Sequence, residues 1–76
     1  MPLSESQVKR FLAKQILSLR KARGWSQEKL AERASIQRSY VADLERGARN
    51  PSVRTLVKLG NAFGVSIATL FQQTEK

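Results

Sequence analysis

Side chains that can hydrogen-bond to base edges are concentrated at the start of the stretch QRSYVADLERGARN, residues 37–50. Arg38, Ser39 and Ala42 are spaced so that on a helix they would share one outward stripe. An arginine in such a stripe can bond bidentately to guanine and a hydroxyl can bond to several bases, while a methyl group can contact thymine. The stripe therefore has the chemistry needed to read the major groove of DNA.

Two neighbours of this stripe, Gln37 and Asp43, are further candidate base contacts. Asp43 is an unusual choice for a base-facing position because phosphate repels a carboxylate. It would either accept a hydrogen bond from cytosine or orient Arg38 or Arg46.

A second set of side chains suits the DNA backbone, which positions a protein without specifying sequence. Gln27 would extend the free N–H groups at a helix N-terminus, a favourable place for phosphate. Tyr40 would lie over a phosphate or pack against the loop that follows. The complete set of candidate phosphate contacts is Gln27, Tyr40, Arg46, Arg49, Asn50 and Arg54.

These residues must be positioned by helices, because apolar residues recur at helical spacing in segments that are separated by Gly and Pro residues. Serines suited to N-caps and glycines suited to C-terminal caps bound the segments. The predicted helices cover about 6–23, 27–34, 37–46, 53–63 and 67–73. The sequence therefore predicts an all-α, compact five-helix domain spanning residues 1–76. Its second and third helices are joined by a turn of helix-turn-helix length, with the motif at about 27–45.

Length, charge and composition limit the function. A chain of 76 residues is one domain, and its net charge of +8 indicates a polyanionic partner. With no Cys and no His, thiol catalysis, disulfides, ordinary zinc sites and histidine acid–base chemistry are excluded. We find no nucleophile–base pair or metal cluster, so we predict no enzyme activity, no cofactor and no metal.

No apolar run reaches signal-peptide or membrane-spanning length, so we expect a cytoplasmic protein without a membrane partner. The alternative polyanionic partner is an anionic membrane surface, which a basic membrane-surface peptide would bind. Such a peptide would need a long amphipathic helix with a basic face, but the apolar face of the first helix is needed for the core.

The motifs RGWSQEKLA, LERGARNPS and FGVSIATLF, in this order and spacing, resemble the lambda-repressor-like helix-turn-helix family (xenobiotic-response-element, Cro-like) over about residues 16–71. The resemblance implies a five-helix DNA-binding domain that forms a homodimer on a palindromic operator of double-stranded DNA. It implies that Gln27 contacts phosphate, that the loop with Arg46, Arg49 and Asn50 contacts the backbone, and that base reading falls on Gln37, Arg38, Ser39, Ala42 and Asp43.

The resemblance also places an ion pair on Arg20 and Glu45, which by their positions could join the first and third helices. Three residues depart from the family pattern: Ser35 where Gly is frequent, Gln37 where Ser or Thr is frequent as an N-cap, and Asp43. A left-handed Ser35 would accept roughly 1 kcal/mol of strain.

A chain of this size is similar to restriction–modification controller proteins and small phage repressors. The competing reading is an antitoxin or protein-interaction module that also binds its own operator. Activation instead of repression would need contact with RNA polymerase, and no residue identifies such a surface. Half-sites would lie about 34–36 Å apart. The expected dimer interface combines the exposed side of the fourth helix with Val65, Ile67, Leu70 and Phe71, although at least one of Leu70 and Phe71 should belong to the core.

Overall fold

The computed structural model describes residues 2–72 and contains five helices within that range. They are α1 (Glu5–Ala22), α2 (Gln27–Ala34), α3 (Arg38–Glu45), α4 (Val53–Phe63) and α5 (Ile67–Leu70). The described part of the chain has no strand, and the all-α, five-helix prediction is confirmed. No helix within residues 2–72 combines the length and apolar character needed to cross a membrane.

Serine caps set the start of most helices. The hydroxyl groups of Ser26, Ser52 and Ser66 each accept from a backbone N–H three residues later, at 3.0, 3.1 and 3.3 Å. The start of α1 was predicted at Ser6, but the helix begins at Glu5 because Ser4 and Gln7 form a capping box. Sequence reasoning missed that signal.

The helices α3 and α5 are shorter than predicted. Gln37 is the N-cap of α3, and its side chain makes no capping hydrogen bond, so the helix begins one residue later than expected. The prediction that α5 extends to residue 73 is wrong, because the helix ends at Leu70. The N–H of Phe71 bonds to the Ala68 carbonyl at 3.1 Å in a tightened last turn. Residue 73 itself lies outside the described range.

The core forms where the apolar sides of the helices meet. Its most completely buried side chains are Ile16, Leu30, Val41, Leu44, Leu59 and Leu70. The amide of buried Gln15 donates to the Thr69 carbonyl at 2.8 Å, which ties α1 to α5. The core packing holds α3 against both α1 and α2. The opposite side of α3 is left open.

Gly60 is required by close packing inside α4. A Cβ atom at this position would lie 3.0 Å from the Val65 carbonyl oxygen and 4.0 Å from a side-chain carbon of Ile67. The chain after α4 therefore folds back on the bare glycine backbone, at a position where Gly costs roughly 1 kcal/mol relative to Ala in a helix.

Candidate nucleic-acid interface

The turn between α2 and α3 is held in one shape by its backbone. Ser35 has φ 58° and ψ 44°, and it is the only non-glycine residue with positive φ in residues 2–72. The N–H of Ile36 bonds to the Ala31 carbonyl at 3.0 Å, and the Lys58 ammonium donates to the Ser35 carbonyl at 3.3 Å. The left-handed serine thus accepts the strain anticipated at this position, and its backbone contacts fix the angle between the two helices.

The third helix has one buried side and one open side. Val41 and Leu44 are fully buried against the core, whereas Arg38 and Ser39 are exposed and Ala42 is half-buried. Arg38 forms no ion pair with any residue in the described range, so its guanidinium donors are available to a partner. The structure therefore brings the three residues of the predicted base-reading stripe together on the outside of α3.

Asp43 is engaged by arginines of its own chain. Its carboxylate is paired with Arg46 Nη2, and its second oxygen accepts from Arg49 Nε at 3.3 Å. The Arg49 guanidinium lies 4.7 Å from the centroid of the Tyr40 ring. Of the roles open to Asp43 and Tyr40, the geometry favours orienting Arg46 and packing against the loop.

The hydrogen bond from Arg46, assisted by the one from Arg49 and by both positive charges, lowers the pKa of Asp43 below its ordinary value. Asp43 is therefore ionised at neutral pH. Because each guanidinium has five N–H donors, both arginines keep donors for a second acceptor. We name Tyr40, Asp43, Arg46 and Arg49 the arginine cluster.

An ion pair between α1 and α3 lies on the side of α3 that faces the other helices. Glu45 accepts from Arg20 Nε at 2.6 Å and from Arg20 Nη2 at 3.0 Å, and the two side chains are only 6% and 12% exposed. Arg20 Nη1 also donates to the Trp25 carbonyl at 2.8 Å. The hydrogen bond to Glu45 raises the pKa of Arg20, so the guanidinium remains charged. The structure thus contains the ion pair that the resemblance implied.

Two predicted phosphate contacts are tied to other side chains. Gln27 Nε2 donates to Glu45 at 2.9 Å, which extends the ion pair to the start of α2. Asn50 Nδ2 donates to Glu5 at 2.9 Å, which places the loop after α3 against the start of α1. Arg54 is exposed in the first turn of α4 and does not belong to the arginine cluster. Of the predicted phosphate contacts, Gln27 and Asn50 therefore use their side-chain amides within the chain, and not all members of the set lie together.

The C-terminal residues divide between core and surface. Leu70 is fully buried, so its assignment to an interface is corrected: its side chain fills the space between α5 and the other helices. Phe71 and Val65 are partly buried against the core. Ile67 is 40% exposed, and the exposed side of α4 presents Val53 and Val57 at 74% and 43%.

An aromatic stack missed by sequence reasoning lies at the turn between α1 and α2. The rings of Trp25 and Phe63 are stacked with centroids 5.7 Å apart. Arg23 lies 5.1 Å from the Phe63 ring and Arg33 lies 5.1 Å from the Trp25 ring. The only available signal was the sequence RGW, since contact with Phe63 depends on the fold.

The comparisons with known proteins agree with this geometry. The family model described as Helix-turn-helix matches residues 16–70. The chain is 39% identical over 59 residues to the immunity repressor protein of Bacillus phage phi105, covering 78% of this chain but only 41% of that protein. It therefore spans about two fifths of the length of this relative.

Two solved structures are similar over nearly their whole length. The restriction–modification controller protein C.AhdI from Aeromonas hydrophila has a TM-score of 0.80 at 38% identity, covering 83% of this chain and 96% of that one. SinR, a master regulator for biofilm formation solved in complex with DNA, has a TM-score of 0.75 at 35% identity, covering 80% and 98%.

Proposed function

This chain belongs to the helix-turn-helix family, and from that premise we propose that it is a sequence-specific, DNA-binding transcriptional regulator. The open face of α3 carries the proposal, because its free Arg38 and Ser39 stand beside the arginine cluster while Val41 and Leu44 anchor the other side. Such a helix can enter the major groove with its outward side chains toward the bases. The chain would act as a repressor of the controller-protein or phage type, in the cytoplasm.

Base reading is proposed for Arg38, Ser39 and Ala42, with Gln37 at the start of the helix. Backbone contacts are proposed for Arg46 and Arg49, and also for Gln27, Tyr40, Asn50 and Arg54 at the edges of the interface. The net charge of +8 supports the backbone contacts, since cationic side chains that neutralise phosphates supply most of the sequence-independent affinity. Binding should therefore weaken steeply as salt is added.

We further propose that the active form is a homodimer on a palindromic operator. The supporting observation is that three apolar side chains of α4 and α5, Val53, Val57 and Ile67, are exposed; we name them the α4–α5 patch. A second copy of the chain would cover this patch across a two-fold axis. It would also double the number of base contacts, with half-sites about 34–36 Å apart.

Selection of bound duplexes from a randomised DNA pool tests the reading helix. The wild type should return a palindrome, and Arg38→Ala should relax one base pair in each half-site by about 1–3 kcal/mol. Lys14→Ala, which removes an exposed charge from α1, is the matched control and should leave the selected sequence unchanged. Retention of full specificity by Arg38→Ala would show that α3 does not read bases as proposed.

The dimer is tested separately by native mass spectrometry and sedimentation. Ile67→Asp should shift the protein toward monomer, because two charges would face one another across the proposed two-fold axis. Leu3→Asp is the matched control, since Leu3 is 63% exposed and lies outside the patch. Equal effects of the two substitutions, or none from Ile67→Asp, would contradict the interface.

A further inference from the structure

A cleft that shares only Arg46 with the predicted DNA-contacting set opens between the first turns of α1 and the end of α3. It has a volume of about 210 Å³, and its lining residues are Ser6, Arg10, Arg46 and Gly47. Ser6 and Arg10 are four residues apart on α1 and therefore share one face of that helix. The cleft thus brings two guanidinium groups and one hydroxyl to a single open space.

The chemistry of this cleft favours an anion. Arg10 is exposed and has no ion-pair partner among residues 2–72. Arg46 is paired with Asp43 through Nη2, which leaves its remaining N–H groups free. Within residues 2–72, no acidic side chain lines this cleft. Arginine guanidinium groups bind phosphate through parallel N–H donors, so phosphate is the best chemical match.

One close backbone approach and one side-chain hydrogen bond bring the two walls of the cleft together. A Cβ atom at Gly47 would lie 4.0 Å from the Lys9 carbonyl oxygen, which shows how closely the end of α3 approaches α1. The hydrogen bond between Asn50 and Glu5 closes the same junction from the loop side. The backbone around Arg10 therefore lies near the end of α3, and the Arg10 side chain lines the same cleft as Arg46.

We propose that this cleft binds a phosphodiester of the operator backbone, so that α1 contacts one phosphate beyond those of the helix-turn-helix. The inference rests on the proposed function and adds Arg10 and Ser6 to the DNA contact surface. Because Arg46 is shared with the arginine cluster, the new phosphate would lie next along the strand from those the cluster contacts.

The salt dependence of operator binding tests the proposal. Affinity is measured by fluorescence anisotropy on the selected duplex between 50 and 200 mM salt for the wild type, Arg10→Gln and Arg10→Lys. Loss of one phosphate contact should reduce the slope of log K against log salt by about 0.9 for Arg10→Gln. Over this fourfold range of salt, the affinity of the wild type would then fall by about 3.5-fold more than the affinity of the variant. Arg10→Lys should retain the wild-type slope.

Lys14→Gln is the matched control, because Lys14 is exposed one turn further along α1 and does not line the cleft. It should leave the slope nearly unchanged. Neutral methylphosphonates placed at single backbone phosphates should weaken the wild type at each contacted position. At one position in each half-site the replacement should weaken Arg10→Gln less than the wild type, because only Arg46 of the two cleft arginines remains there.

An Arg10→Gln slope equal to the wild type, or equal losses from Arg10→Gln and Lys14→Gln, would overturn the cleft while leaving the proposed function intact. A wild type with no sequence preference would instead overturn the proposed function itself. Far-UV circular dichroism melts should show unchanged folding of Arg10→Gln, since the side chain is exposed.

Discussion

Replacing Glu45 with Ala should strongly destabilise the domain, because Glu45 joins α3 to the two helices packed against it. The Glu45 carboxylate accepts three hydrogen bonds, two from Arg20 at 2.6 and 3.0 Å and one from Gln27 at 2.9 Å. These bonds join α3 to α1 and to the start of α2. The substitution removes the acceptor and leaves the guanidinium in place.

The magnitude follows from the burial of the remaining partner. The Arg20 side chain is 12% exposed, so removing its counter-charge should cost about 3–5 kcal/mol of unfolding free energy. Small domains are stable by only about 5–15 kcal/mol, so the loss is a large share of the total. For a domain of this size, each kcal/mol corresponds to roughly 4–8 °C in Tm, and we expect Tm to fall by at least about 12 °C.

Urea unfolding followed by far-UV circular dichroism and Trp25 fluorescence measures this change. Trp25 is the single tryptophan of the chain, and its carbonyl accepts from Arg20 at 2.8 Å. Glu32→Ala is the matched control, because Glu32 is 76% exposed and lies 4.0 Å from Lys29. An exposed pair of this kind contributes less than about 1 kcal/mol.

The double variant Arg20→Met/Glu45→Leu separates a buried charge from general loss of packing. Removing both charged groups should restore part of the stability lost in Glu45→Ala, since no unpaired guanidinium remains. The reasoning is refuted if Glu45→Ala costs no more than Glu32→Ala. It is also refuted if the double variant is less stable than Glu45→Ala.

Three further predictions concern residues that depart from simple helix rules. Ser35→Gly should stabilise the domain by about 1 kcal/mol in urea unfolding because it removes left-handed strain, whereas a similar gain from Ser35→Ala would contradict that cause. Gly60→Ala should destabilise by about 1–3 kcal/mol, since its Cβ would meet the Val65 carbonyl oxygen; a higher Tm would show that the backbone can yield. The pKa of Asp43 is lowered on folding, so its stabilising effect is present above about pH 4 and is lost as pH falls through the folded value. Asp43→Asn should therefore flatten the pH dependence of unfolding below about pH 4, and an unchanged acid profile would argue against the Arg46 contact.

Most helix boundaries were predictable because capping is local. A serine hydroxyl at position 26, 52 or 66 needs only the N–H three residues later, so the signal lies within one turn of the chain. The exceptions follow the same rule: the capping box of Ser4 and Gln7 was readable but missed, and Gln37 provides no side-chain cap.

By itself, the sequence determined the all-α fold, the helix-turn-helix spacing and the outward stripe of α3, because helical periodicity and caps depend on neighbours a few residues away. Only the tertiary structure decided which partners the polar side chains choose. Asn50 meets Glu5 across 45 residues and Leu70 enters the core, because those contacts depend on how separate helices pack. Arg10 and Arg46 likewise come to line one cleft only when α1 lies against the end of α3.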